Sequence, residues 1–116
     1  MNAKQAEITF GKVLCSLIKK AQMTQAQFYT MLGITKSYFY DITSGKTKPP
    51  PAEMQMKMVE LLKLSREDEI LFFELAGKER NETPVDIAWY LDLHQEKKNL
   101  IREEINYSTF SKIRRK

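Results

Sequence analysis

Between Thr24 and Pro51 this chain has no room for a long helix. Gly33 and Gly45 interrupt the helical spacing twelve residues apart, and Pro49-Pro50-Pro51 forbids helix until the last proline can serve as a first-turn residue. Thr24 followed three residues on by Gln27 is a capping-box pattern, which predicts a helix from Gln25 to about Met31. Gly33 admits the left-handed conformation that stops it, and Thr35 is placed to cap a further helix from Lys36 to about Thr43, ended by Ser44-Gly45. Phe28, Leu32, Ile34, Phe39 and Ile42 fall where the two short helices would share a small core.

Helical spacing continues on both sides, and no stretch alternates with a period of two. Upstream, Phe10, Leu14, Leu17, Ile18 and Ala21 make one stripe of a first helix over residues 7–21. Downstream, a helix from Ala52 to Leu64 places Met54, Met58, Leu61 and Leu62 inside. Ser65 caps another, with Asp68 and its acidic neighbours in the first turn and Ile70, Leu71, Phe73 and Leu75 as apolar residues before a stop near Gly77. Residues 78–82 read as a polar linker. Thr83-Pro84 opens a helix carrying Val85, Ile87, Trp89, Tyr90 and Leu91, and a last helix over 95–106 has Leu100, Ile101 and Ile105 as its apolar side. The tail from Tyr107 either extends that helix or frays. These readings divide the chain into residues 1–77 and an extension, 78–116.

Charge follows the same division. Residues 1–51 carry seven lysines against only Glu7 and Asp41, residues 52–105 carry eight basic against thirteen acidic side chains, and the tail adds Lys112, Arg114, Arg115 and Lys116. A basic head on an acidic support is the balance expected of a nucleic-acid-binding protein. No run of about 18 apolar residues is present, so no membrane partner is expected. The start lacks a secretion signal, and the single Cys15 cannot form an internal disulfide, which together imply a cytoplasmic setting. No phosphate loop or metal-ligand cluster occurs. Cys15 and His94 are the sole nucleophile-and-base candidates, so neither an enzyme nor a cofactor is expected.

Two short helices across a tight glycine-containing turn form a helix-turn-helix unit. The segment MTQAQFYTMLGITKSYFYDITSGKTKPP, residues 23–50, resembles the Cro/cI-type (phage-repressor-like, XRE) helix-turn-helix family, with Gly33, Ile34, Ser37, Phe39, Ile42, Gly45 and Pro49 in register. Together with the flanking helices the resemblance covers residues 8–76. It implies an all-α, five-helix lambda-repressor-like domain within residues 1–77, followed by a helical extension with a basic tail. Residues 75–81 onward are similar to C-terminal extensions of some bacterial regulators, with no role attached.

The resemblance implies a transcriptional regulator, a repressor in the first instance, that binds double-stranded DNA as a homodimer. In such proteins the third helix enters the major groove and the second crosses the backbone. With Phe39 and Ile42 facing the core, Lys36, Ser37, Tyr40 and Asp41 project outward as base-contacting residues, joined by Gln25 at the start of the second helix. Each such contact is worth about 1–3 kcal/mol of discrimination. Thr24, Tyr38, Ser44, Lys46 and Lys48 are the expected phosphate contacts, Tyr38 having bracing of its helix as the alternative. The stripe of Trp89, Tyr90 and Leu91 is the candidate dimer surface or, alternatively, intramolecular core. Three positions depart from the family pattern. Tyr29 stands where alanine is common and must open the packing or point outward. Ile18 and Thr43 replace an arginine–glutamate pair, and Cys15 stands where a basic residue is common. The departures at Cys15 and Tyr29, with the aromatic run Tyr38-Phe39-Tyr40, keep open an alternative function as a protein-interaction module, an antitoxin or antirepressor with its own protein partner.

Overall fold

The computed structural model describes residues 7–109, and among them every regular element is a helix. In chain order they include α1 (Phe10–Lys20), α2 (Gln25–Leu32), α3 (Lys36–Ser44), α4 (Ala52–Leu62), α5 (Arg66–Arg80), α6 (Val85–Leu93) and α7 (Gln95–Glu104), with residues 107–109 helical beyond them. None of the described helices is long and apolar enough to cross a membrane. The basic side chains expected at residues 112–116 lie outside the described residues.

Local chemistry sets the helix ends. Thr9, Thr24, Thr35 and Ser65 each accept a backbone N–H three residues on, starting α1, α2, α3 and α5. Helix α1 therefore starts three residues later than the apolar spacing predicts, because Thr9 is extended and takes the Lys12 N–H at 3.2 Å. Helix α4 stops at Leu62 rather than Leu64, since Lys63 turns left-handed at φ 49°. Gly77 is not a stop. Helix α5 runs past it to Arg80 and ends at left-handed Asn81, so three of the five residues read as a linker are helical. A Cβ on Gly77 would sit 2.9 Å from the Glu82 carbonyl oxygen and 3.0 Å from the Pro84 nitrogen, so this glycine serves a close backbone approach.

The chain divides into two units, Met1–Asp86 and Ile87–Lys116. The buried apolar cluster lies wholly in the first, from Phe10 to Val85, where α1 packs on α2, α3 and α5. Phe10 meets Phe72 edge-on at 5.0 Å, and Phe28 meets Phe39 at 6.0 Å. Phe72, Phe73, Leu75 and Ala76 form the inner face of α5, whereas Ile70 and Leu71 are exposed. In α4, Met58, Val59 and Leu62 are buried together with Gln55, while Met54 and Leu61 pack half-buried at the margin.

Polar ties from the end of α5 hold distant backbone. The Phe10 N–H, at the open end of α1, donates to Glu79 Oε2 at 2.8 Å. Arg80 donates to the Pro49 carbonyl at 2.8 Å while pairing with Glu82, and the Gln55 amide donates to the Pro50 carbonyl at 2.8 Å. Residues 78–82, polar in composition, thus clamp both the first helix and the polyproline segment. The second unit, by contrast, has no buried residue among residues 87–109. Its internal ties include a Tyr90–His94 ring stack at 4.1 Å and a Lys98–Asp92 ion pair at 3.0 Å.

Candidate nucleic-acid interface

Helices α2 and α3 are joined by Gly33, Ile34 and Thr35 alone. The capping box is complete, with the Gln27 N–H donating to Thr24 Oγ1 at 3.0 Å and the Thr24 N–H to Gln27 Oε1 at 2.8 Å. Gly33 takes φ 78°, letting the Gly33 and Ile34 N–H groups close on the Thr30 and Tyr29 carbonyls at 3.1 Å. Thr35 Oγ1 then accepts the Tyr38 N–H at 3.0 Å and starts α3. Gly45, at φ 85°, ends α3, and the Thr47 N–H returns to the Asp41 carbonyl at 3.1 Å. Among the described residues the amides of Gln25, Ala26, Lys36 and Ser37 have no partner at the two helix starts, a polarity that favours anionic oxygens.

Around this frame the expected contact residues do not all stand alike. Lys36, Ser37 and Tyr40 are exposed on α3, opposite the buried Phe39 and Ile42. Tyr40 lays its ring edge-on to Phe39 at 5.3 Å, which braces the phenol on the surface. Asp41 is half-buried, and its carbonyl also accepts the Ser44 hydroxyl at 3.3 Å. Ser44 Oγ takes the Lys46 N–H at 3.4 Å as well, so this hydroxyl closes its own turn. Tyr38 is half-buried against the apolar cluster, in the bracing position. Thr24 is exposed but has its hydroxyl in the capping box, and Lys46 and Lys48 are exposed on the loop after α3.

Gln25 and Cys15 form a pair that their separation in sequence hides. The half-buried Gln25 donates its amide to Cys15 Sγ at 3.5 Å. Burial pushes the Cys15 thiol above its ordinary pKa, so it faces Gln25 as a neutral acceptor, not as a thiolate. The acidic Glu82 lies near enough to Lys48 for that lysine to contribute to lowering its pKa, behind the larger effect of its hydrogen bonds with Arg80. Lys36 and Lys46 make no ion pair among the described residues.

Tyr29 neither opens the packing nor points away. It is half-buried with its ring tilted against Phe39 at 5.5 Å, filling space between α2 and α3. Room for α3 comes from the other side, where Gly11 lies against the Thr43 backbone so closely that a Cβ would overlap the Thr43 carbonyl. A glycine inside an otherwise apolar, well-formed helix was the available signal for that approach. Gln55 had a signal too, since 55, 58, 59 and 62 form one helical stripe. Of the two nucleophile-and-base candidates, Cys15 is committed to Gln25. His94 stacks on Tyr90 with Nδ1 2.8 Å from the Tyr90 carbonyl. No protein-family model, curated protein or solved structure matches the chain.

Proposed function

We propose that this chain is a sequence-specific DNA-binding regulator, acting as a repressor and as a homodimer, in which α2 and α3 are the helix-turn-helix of a five-helix phage-repressor-like domain. One observation carries the reading. Helix α3 exposes Lys36, Ser37 and Tyr40 on one side while Phe39 and Ile42 anchor the other. A helix so presented fits the major groove, and the donors at the helix starts and on Lys46 and Lys48 suit the flanking phosphates. Lys36 is suited to donate to guanine, Ser37 to either base partner, and Tyr40 to contact a thymine methyl or phosphate. Gln25, held by Cys15, touches the backbone at the edge of the site. Tyr38 and Ser44 are better explained as supports of α3 than as phosphate ligands.

Selection of duplexes from a random library, followed by salt titration, tests this. A two-fold-symmetric site is expected, with affinity falling steeply with salt. The Lys36→Ala, Tyr40→Ala double variant should lose discrimination by about 10²-fold or more. If no sequence is enriched and the variant behaves like the parent, α3 does not read DNA and the protein-interaction reading replaces this one.

A further inference from the structure

From residue 97 the sequence of α7 reads Lys-Lys-Asn-Leu-Ile-Arg-Glu-Glu. Turned end for end about the Leu100–Ile101 bond, it sets Lys97 against Glu104, Lys98 against Glu103, Asn99 against Arg102 and Leu100 against Ile101. A two-fold axis performs that operation on two copies of one helix. Helical spacing then selects the stripe that would meet: residues 97, 100, 101 and 104 are i, i+3, i+4 and i+7 on one face. All four are exposed, Leu100 at 52% and Ile101 at 47%. Lys98 is drawn off to Asp92 at 3.0 Å, whereas Lys97 and Glu104 make no ion pair among the described residues.

Among the described residues, the helix also gains little from tertiary packing. It buries none of its ten residues, and helices this short are marginal in water without tertiary packing. Trp89 and Leu93 of α6, in the same unit, are 41% and 81% exposed. We infer that α7 pairs antiparallel with α7 of a second copy of this chain, Leu100 on Ile101 at the centre and Lys97 on Glu104 at each end. A stable dimer covers roughly 1,200–2,000 Å² in total, more than two such helices bury, so Trp89 and Leu93 join the covered surface. The pairing names the surface of the homodimer proposed above and rests on that reading, but it does not require DNA.

Sedimentation equilibrium of the full chain at low salt tests it. Lys97→Glu and Glu104→Lys should each raise the dimer dissociation constant about tenfold, because every dimer contains the contact twice and each swap turns attraction into repulsion. The double variant should return to within about twofold of the parent. Helix-dipole effects oppose this pattern: an acid near the start of α7 and a base near its end each stabilise the helix, so a helix-stability effect would strengthen both single variants. Leu100→Glu should leave a monomer whose first unit unfolds as before. A dimeric parent with unchanged variants overturns the α7 pairing and leaves the homodimer standing. A monomeric parent at all concentrations overturns both, while the duplex selection still judges DNA reading by α3.

Discussion

Of the four glycines, Gly11 meets the closest backbone. It lies in α1, where alanine would favour the helix by about 1 kcal/mol, yet the Thr43 backbone occupies the place of a Cβ. Backbone cannot rotate away as a side-chain tip can, so Gly11→Ala has to push α1 and α3 apart. The expected net cost is about 1–3 kcal/mol, read as a lower urea midpoint with an unchanged slope. Lys12→Ala, one residue along on the exposed side, should move the midpoint by under about 0.5 kcal/mol. Ile18, in the same helix, is buried in the apolar cluster.

Between elements, α1 and α5 are tied at opposite ends. Glu79 receives the Phe10 N–H at the start of α1, and Lys20 at its end reaches Asp68 in the first turn of α5 at 2.7 Å. The Lys20 hydrogen bond, with smaller help from its charge and from Ser65, holds the Asp68 carboxyl below its ordinary value of 3.8. A carboxyl with a lowered folded pKa contributes stability that is complete above the unfolded value and disappears as pH falls through the folded one. Urea midpoints measured from about pH 5 down to about pH 2 should therefore fall more steeply in the parent than in Asp68→Asn. Added salt should shrink the difference, since the pair faces solvent. What was legible in the sequence belongs to this scale as well. Thr24, Gly33, Thr35, Gly45 and Ser65 act on backbone within a turn of themselves, so their spacing foretold α2, α3 and the start of α5. The linker at 78–82 was misread because Glu79 and Arg80 are held by partners far along the chain, and the stop at Gly77 because the close approach of the Glu82 and Pro84 backbone, not a helix end, requires glycine there. The Glu79–Phe10 contact spans 69 residues and the Arg80–Pro49 contact 31, and no local pattern encodes either. Within the candidate site, exposure of Lys36, Ser37 and Tyr40 followed from helical spacing. The locking of Ser44 and the Gln25–Cys15 contact depend on side-chain geometry that spacing does not specify.

At the scale of the molecule, burial is divided unequally between the two units. Every residue of the apolar cluster lies at or before Val85, and none of residues 87–109 is buried. The cooperative core is therefore a property of the first unit, and the second contributes surface. A chain ending after Asp86 keeps the cluster, the α2–turn–α3 frame and the clamps by Glu79 and Arg80. It should unfold in one transition within about 5 °C of the full chain's midpoint, a shift worth roughly 1 kcal/mol for a domain this size. The two chains should differ on DNA instead. If the second unit brings two copies together, the shortened chain binds a single half-site as the full chain does but loses the joint occupancy of two half-sites, seen as a shallower binding curve and weaker affinity on the two-fold site. A shortened chain that binds the two-fold site as tightly as the full one would place the dimer contact within residues 1–86. One that fails to fold would show that the second unit supports the core after all.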